Sequence, residues 1–489
     1  MSFTGRATGA VLALLLLLGL AAASQLPTIQ DEAYYWTWSR ALAGTYYDHP
    51  PGIAWVMAGS TAIFGDGWFG LRAPSILSVI AVLALSFDAG RRRSPRAPIL
   101  GGCLCVLLLS GAPMFAVGYW PGTHDPLLGL ASAAFAWLVC YALSGAIAPA
   151  GGKALLGAGF VLVAAGILKH SAAVLALGAL LGALRLRLFS RDPRSRTALL
   201  GAALGLLVLT PWLLAERAQG ADSSIAFQAA HVFSERPTRG PIAILLTVGS
   251  MIATLGPLGA AALLLLGPGR IYRANAADPA EAILCSAGLT LVVFCTIAVW
   301  AGSGESNWPM PALVISAPVL GPLLAERWAR SSVALGLVSS LVCLVLLAHA
   351  AWPFLPVRIS RDPTARGAGF QAMSQALSQL AGQYQARAIL TRRYQIASLL
   401  RYHLRDQRQV VELGTQRRKS QYDRWKKPPL CPGDTVILLL PEKEVATEVV
   451  GEVVEELRMP RMRRASEPAI DIWVAKVVRL GAGLYGCGS

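Results

Sequence analysis

Acidic and aromatic side chains stand together in a short segment near the N-terminus. Asp31 and Glu32 are adjacent carboxylates, and Tyr34, Tyr35 and Trp36 follow after a single alanine. A carboxylate can act as a general base, while aromatic faces pack against a sugar ring or a lipid chain. Acids and aromatic residues also gather where a helix leaves a bilayer. The segment therefore predicts either a site at a membrane surface, with Tyr35 in contact with substrate, or an interfacial belt.

A second set of polar residues occurs in short segments that separate apolar runs. The segments contribute Asp48 and His49, then Asp125, then Lys169 and His170, and finally Glu305, Asn307 and Trp308. A lone lysine at a helix end often reaches toward lipid headgroups, and an aspartate before a proline often caps a helix. These ordinary roles do not explain why nearly every such segment carries a polar group. We therefore expect the segments to converge on one substrate-binding site.

The elements that position these residues are predicted to be membrane-spanning helices. The chain of 489 residues is only 14% charged and has a mean hydropathy of +0.53, whereas soluble proteins are roughly a quarter charged. Apolar runs such as 11–20, 154–168, 198–214 and 333–348 approach, with their flanks, the roughly 20 residues that cross a bilayer as a helix. We expect an α-helical polytopic membrane protein with about eleven spans, counted from span lengths, over residues 1–355.

The basic residues indicate orientation and not nucleic-acid binding. The formal net charge is +16, but the basic residues lie in short loops, Arg91, Arg92 and Arg93 among them, as expected for loops retained in the cytoplasm. No basic nucleic-acid-binding module accompanies them. With the N-terminus inside, residues 25–67 form an outer loop. The first apolar run also fits a cleaved signal peptide, although anchoring of the loop at both ends favours a retained span.

Residues 356–489 are predicted to form a small extracytoplasmic α/β domain, because they contain no spanning run and follow an odd number of spans. Its expected elements are helices at 371–384 and 394–404 and strands at 388–390, 435–440 and 470–478. Cys431 and Cys487 are the two cysteines of this tail. A pair of cysteines in an oxidising compartment predicts a disulfide.

Four of these motifs together resemble a known family. They are Asp-Glu-Ala-Tyr-Tyr-Trp at 31–36, Tyr-Asp-His-Pro-Pro at 47–51, Asp125 and Asn-Trp-Pro at 307–309. The pattern, over roughly residues 1–350, resembles the family of protein O-mannosyltransferases and lipid A aminoarabinose and galacturonic acid transferases. The resemblance implies a C-type glycosyltransferase fold, a polyprenyl-phosphate-sugar donor and a catalytic acid at Asp31, with Asp125 as the acid of the second loop. His49 stands where the aminoarabinose transferases have lysine.

The expected chemistry is an inverting transfer of a sugar to an acceptor hydroxyl. Asp31, or Glu32 beside it, activates the hydroxyl, while Lys169, assisted by His49, stabilises the departing phosphate, which needs positive charge more than a proton. The expected acceptor is lipid A, lipopolysaccharide or another envelope glycoconjugate, at the outer face of a bacterial inner membrane. No metal site is predicted, since Cys/His metal spacings are absent, although loop carboxylates could hold a divalent cation.

Three alternatives remain open from the sequence. One is a protein O-mannosyltransferase-like activity on the same fold. Another is a transporter of lipid-linked substrates, which would place ionisable groups near the membrane midplane on interrupted helices. The third is a membrane anchor for a binding domain, which would explain the tail but not the acids of the loops.

Overall fold

A computed structural model describes residues 3–143, 148–233, 240–266, 268, 278–301, 303–405, 409–414, 419–463 and 467–487. The chain divides into two compact units. Unit 1 comprises Met1–Ser24 and Gly44–Trp352, and unit 2 comprises Gln25–Ala43 and Pro353–Ser489. The sequence predicted one membrane domain over 1–355, with the outer loop 25–67 inside it. The division differs because residues 25–43 pack with the C-terminal residues in unit 2.

Unit 1 is built from helices. They are Phe3–Gln25, Gly52–Phe64, Trp68–Arg93, Pro98–Ser110, Pro113–Ala116, His124–Leu143, Ala148–Ala164, Ser171–Arg185, Leu188–Arg191, Arg196–Gln219, Ser224–Phe233, Pro241–Leu255, Pro257–Ala261, Pro279–Trp300, Met310–Arg327 and Ala329–Ala351, with short 3₁₀ turns at Ala165–Ile167, Pro193–Ser195 and Gly220–Asp222 and a π turn at Ala262–Leu266. Proline occupies the first position of several of them, where its missing N–H costs no hydrogen bond.

The long apolar helices make the chain a multi-pass membrane protein. Among the described residues, six are long and apolar enough to cross a membrane, namely Phe3–Gln25, Trp68–Arg93, His124–Leu143, Arg196–Asp222, Pro279–Trp300 and Ala329–Ala351. The bent pair Pro241–Leu255 and Pro257–Leu265 could make a seventh. The predicted count of about eleven is not confirmed. Three shorter apolar helices, Pro98–Ser110, Gly151–Ile167 and Ser171–Arg185, lie where the sequence predicted spans.

The bend in that pair has a local cause. The helix axes differ by 106° at Gly256, whose φ of +72° lies in the left-handed region that favours glycine. A Cβ on Gly256 would lie 2.1 Å from the carbonyl oxygen of Gly111. Pro257 then begins the next helix. Backbone conformation and close packing therefore both require glycine at this break.

Helices of unit 1 approach closely where their facing residues are small. A Cβ on Gly201 would lie 1.9 Å from the Leu156 carbonyl oxygen, and one on Gly159 would lie 2.0 Å from that of Ala198. These contacts join helices Ala148–Ala164 and Arg196–Gln219. Within a bilayer, helices associate through such close packing because lipid tails remove the hydrophobic driving force.

Unit 2 contains a five-stranded sheet and several helices. The strands are β1 (Ala388–Thr391), β2 (Val410–Glu412), β3 (Thr435–Pro441), β4 (Gly451–Arg461) and β5 (Asp471–Leu480), in the order β2-β1-β3-β5-β4. β1 is parallel to β2 and β3, whereas β5 is antiparallel to β3 and β4. The helices are Gln30–Ser39, Phe370–Gln383, Tyr394–Leu404 and Gln421–Arg424, with 3₁₀ turns at Ile359–Arg361 and Pro363–Ala365. The predicted α/β character and all five predicted elements of the tail are confirmed.

Helix Gln30–Ser39 is held in unit 2 by its aromatic side chains. The Tyr34 ring lies 4.6 Å from that of Tyr394, and the Tyr34 hydroxyl accepts a 2.8 Å hydrogen bond from the Gln421 backbone N–H. The Trp36 ring meets the Tyr402 ring edge-on at 5.4 Å. These contacts explain why residues 25–43 pack with the tail. Elsewhere in the unit, Cys431 and Cys487 form a disulfide with their Cα atoms 5.1 Å apart.

Candidate active site

A buried ion pair lies at the centre of the polar residues of unit 1. The Lys169 ammonium donates to one oxygen of the Asp125 carboxylate at 2.5 Å, and the Asn307 side-chain amide donates to the other oxygen at 2.8 Å. Asp125 and Lys169 are both buried. The sequence placed these three residues in three separate segments and expected convergence, and the structure brings them together.

Each residue of this group lies at or near the end of a helix, which positions its side chain. Asp125 lies in the first turn of helix His124–Leu143, where the helix dipole favours negative charge. Lys169 lies in the turn between the 3₁₀ turn Ala165–Ile167 and helix Ser171–Arg185. Asn307 lies in the segment before helix Met310–Arg327, and the Thr254 hydroxyl fixes this segment by donating to the Ser306 carbonyl oxygen at 2.6 Å.

Three histidines surround the ion pair. The His49 ring lies 4.5 Å from the His124 ring and 6.4 Å from the His170 ring, measured between centroids. His124 Nε2 is 4.0 Å from the Asp125 carboxylate. Burial lowers the pKa of His170 to about 4, although Glu216 opposes this effect and Lys169 adds to it. His170 is therefore neutral near neutral pH.

Glu216 is a buried acid that the sequence did not single out. Its carboxylate accepts hydrogen bonds from the Thr45 hydroxyl, from Trp212 Nε1 at 3.1 Å and from the Ile225 backbone N–H at 3.1 Å. It also acts electrostatically on His170. A glutamate four residues after a tryptophan, at the end of a long apolar run, is the signal that could have indicated it.

Tyr119 adds a hydroxyl near the carboxylate. Burial and the negative charge of Asp125 raise the pKa of Tyr119 well above its usual value, so the phenol is protonated at neutral pH. Its oxygen is buried and has no hydrogen-bond partner among the residues that the structure describes. The ring packs against Gly129, where a Cβ would lie 2.6 Å from Tyr119 Cε2. A proton donor is thus held close to the ion pair.

The other predicted site residues of unit 1 make contacts with residues outside the Asp125–Lys169 pair or are exposed. The Asp48 side chain is buried, and its backbone carbonyl accepts from the Gln228 amide at 2.8 Å. Glu305 is exposed, and Trp308 stacks on Phe294 with ring centroids 6.4 Å apart. Across the described ranges, no three His, Cys, Asp or Glu side chains are grouped to hold one metal ion.

Asp31, Glu32 and Tyr35 belong to unit 2. Asp31 is exposed, in the first turn of helix Gln30–Ser39. Glu32 is fully buried, and its carboxylate accepts a 3.0 Å hydrogen bond from the Ile29 backbone N–H, which caps the helix. The Tyr35 ring is also buried and meets the Trp38 ring edge-on at 5.3 Å. The two adjacent acids thus differ in burial, because Asp31 is exposed and the Glu32 carboxylate caps its own helix.

Known proteins share sequence or fold with this chain. Residues 48–214 match the family described as dolichyl-phosphate-mannose-protein mannosyltransferase. A stretch of 68 residues is 40% identical to the lipid A galacturonosyltransferase RgtD from Rhizobium johnstonii (strain DSM 114642 / LMG 32736 / 3841), and it covers 13% of this chain and 14% of that relative. The chain therefore aligns with only a small part of this curated relative.

Solved structures resemble the chain over nearly its whole length. ArnT from Cupriavidus metallidurans bound to undecaprenyl phosphate superimposes with a TM-score of 0.68 at 14% identity, over 97% of this chain and 98% of ArnT. The apo state of ArnT gives a TM-score of 0.65, also at 14% identity, over 96% and 97%. The predicted resemblance is therefore confirmed: residues 48–214 match the mannosyltransferase family, and the chain has the C-type glycosyltransferase fold of ArnT.

Proposed function

We propose that this protein transfers a sugar from a polyprenyl-phosphate donor to an acceptor hydroxyl on lipid A, lipopolysaccharide or another envelope glycoconjugate. The observation that carries the proposal is the buried Lys169–Asp125–Asn307 group, which offers a fixed cation in a helical membrane unit. The fold of ArnT, solved with undecaprenyl phosphate, supports the donor class. The similarity to a lipid A galacturonosyltransferase supports the acceptor class.

Lys169 stabilises the leaving phosphate in this proposal. An ammonium has three N–H donors, and the described residues take one of them, at Asp125. The other two are available to an anion that gains charge as the sugar–oxygen bond breaks. His49 and the Tyr119 hydroxyl assist from the same group of residues. Because the cation is already oriented before the donor arrives, little reorganisation is needed during the reaction.

Asp125 is a positioning residue in this mechanism. Both of its oxygens accept hydrogen bonds, from Lys169 and Asn307, so it holds the lysine and does not take the proton of the acceptor. The proposed general base is Asp31, as the family resemblance implies, and its carboxylate takes the proton of the acceptor hydroxyl. The hydroxyl oxygen attacks the anomeric carbon, the phosphate departs with the bonding electrons, and a single displacement inverts the anomeric configuration.

The proposed location is a bacterial inner membrane, with unit 2 on the periplasmic side. The disulfide between Cys431 and Cys487 supports this side, because disulfides persist in oxidising compartments. A donor that is anchored by its lipid also explains why the reaction would take place at the membrane surface.

The glycolipid profile of cells tests the proposed function. Membranes that contain the parent protein should carry a sugar on lipid A or lipopolysaccharide that is missing without it and with Lys169→Ala. Lys153→Ala, which alters an exposed lysine of the same unit, should behave as the parent. A sugar that disappears from protein instead would favour a protein mannosyltransferase activity. Unchanged glycolipids and glycoproteins, with altered transport of a lipid-linked sugar, would contradict the proposal.

A further inference from the structure

Unit 2 contains a pocket of its own, and all of its lining residues belong to this unit. Its volume is about 490 Å³, within the range of roughly 300–1,000 Å³ that is usual for small-ligand sites. The walls come from the end of helix Gln30–Ser39, from helix Tyr394–Leu404, from β2 and from the residues after helix Gln421–Arg424. Six of the thirteen lining residues thus lie in helices or in β2, and the other seven lie in the segments beside them.

Positive charge dominates the lining of this pocket. Four basic side chains line it, Arg40, Arg401, Lys426 and Lys427, against one acidic side chain, Glu412. Such an excess of cations in a concave, partly desolvated space attracts an anion more strongly than the same charges on an open surface. The pocket therefore favours a negatively charged ligand.

Aromatic side chains hold one of these cations in place. The Arg401 guanidinium lies over the Tyr422 ring at 5.7 Å and over the Trp425 ring at 5.6 Å. Both rings line the pocket, and Tyr422 is itself fixed by a 3.1 Å hydrogen bond with the Ser398 hydroxyl. An oriented guanidinium suits two-point binding of phosphate or carboxylate, and aromatic faces suit the C–H faces of a sugar ring.

Glu412 affects the charge of the pocket that it lines. Its carboxylate lies 3.7 Å from the Lys427 ammonium, and its side chain is only 3% exposed. Burial raises the pKa of Glu412 to about 7, Asp423 adds to this effect, and Lys427 opposes it. Near neutral pH many molecules therefore hold a neutral Glu412, and the charge of Lys427 remains available to a ligand.

We propose that this pocket binds an anionic sugar, namely the phosphorylated or carboxylated saccharide of the acceptor glycoconjugate. The assignment of the sugar to the acceptor rests on the proposed function, whereas the binding of an anionic sugar does not. A separate acceptor site would let the enzyme select its acceptor through residues that take no part in donor chemistry. Lys426, Lys427 and Arg401 bind the anionic group, and Trp425 packs against the ring.

Binding of glucose 6-phosphate to the purified full-length protein in detergent tests the site by calorimetry. Saturable binding is expected. Glucose should bind at least about tenfold more weakly because it lacks the charged hydrogen bonds, and inorganic phosphate at least about tenfold more weakly because it lacks the ring that packs on Trp425. Lys427→Ala should weaken binding by a similar factor. Lys426→Ala should do so too, and its exposed side chain puts folding at little risk. Lys443→Ala, exposed and outside the pocket, is the matched control.

Several results would overturn the site. Equal binding of inorganic phosphate and glucose 6-phosphate would indicate an adventitious ion only. Tighter binding of uridine monophosphate would indicate a nucleotide site, and equal affinities in Lys427→Ala and Lys443→Ala would place binding elsewhere.

In transfer assays, Lys426→Ala should raise the KM for the acceptor and leave kcat and the donor KM unchanged. A parent that binds the sugar phosphate but transfers no sugar would contradict the proposed function alone, whereas a parent that transfers sugar without such binding would contradict the pocket alone.

Discussion

Lys169 donates a 2.5 Å hydrogen bond to Asp125 across 44 positions of sequence, and both side chains are buried. A buried ion pair gains less than its Coulomb energy suggests, because both ions lose hydration. The loss of one partner, however, leaves an uncompensated charge. Replacement of either residue alone should therefore destabilise the folded protein.

A double-mutant cycle measures the interaction energy between Lys169 and Asp125. Lys169→Met and Asp125→Asn should each lower the free energy of unfolding by about 3–5 kcal/mol, and the double variant by clearly less than the sum. The measurement is unfolding of the purified protein in detergent, with Lys153→Ala as the control for loss of an exposed lysine. Strict additivity of the two changes would mean that the pair is not formed in solution.

Asp31→Asn tests the general base. Turnover should fall at least about 100-fold, while stability stays near that of the parent because Asp31 is exposed. Glu32→Gln is the matched change at the next position, and it should mainly lower stability, since the buried Glu32 carboxylate caps its helix. Near-normal turnover of Asp31→Asn, with a large loss in a folded Glu32→Gln protein, would transfer the role of base to Glu32.

The sequence was most informative where local patterns decide the structure. Helix Phe370–Gln383 and strand β3 lie within one residue of their predicted bounds, because amphipathic periodicity and a buried apolar run specify them locally. β2 has three residues, too few for a pattern. β4 is mostly exposed and rich in charge, as is typical of an edge strand, and so lacks the alternation that predicts a strand.

The candidate site depends on contacts between residues far apart in the sequence, and these contacts could not be predicted from local patterns. The sequence placed Asp125 and Asn307 in short segments between helices, but it could not show that they meet across 182 positions. Glu216 was missed because an acid at the end of an apolar helix is usually solvated. The packing of helix Gln30–Ser39 into unit 2 depends on partners such as Tyr394 and Gln421, which no local pattern near Tyr34 indicates.

The buried Glu412 predicts how stability depends on pH. An unfolded glutamate ionises near pH 4.3, whereas the folded-state pKa is about 7. Between these values the folded protein keeps a proton that the unfolded chain releases, so the contribution of Glu412 to stability is greatest below about pH 4 and is lost by about pH 7, a change of about 4 kcal/mol at most. Glu412→Gln should remove this contribution to the slope and should be more stable than the parent at pH 8. Glu452→Gln, an exposed change in the same unit, should retain the slope of the parent; equal slopes in all three proteins would contradict the prediction.

The Cys431–Cys487 disulfide predicts the outcome of thiol labelling in intact cells. Neither cysteine should react with an impermeant maleimide until a reductant is added, because both sulfurs are bonded and unit 2 is proposed to be periplasmic. Replacement of both by serine should destabilise unit 2 by about 4 kcal/mol or less. Thiols that are protected in intact cells, but react after lysis without reductant, would place the unit in the cytoplasm.

Reconstituted sugar transfer tests the central claim most directly. The purified protein in liposomes is given an undecaprenyl-phosphate-linked sugar, radiolabelled in the sugar, together with lipid A, and both products are quantified. We expect labelled lipid A and free undecaprenyl phosphate to appear in equal amounts, with inverted anomeric configuration, at a rate that Lys169→Ala lowers at least about 100-fold and Lys153→Ala does not change. If the parent releases no undecaprenyl phosphate with any lipid-linked sugar, or if a folded Lys169→Ala protein transfers sugar as fast as the parent, the claim is wrong.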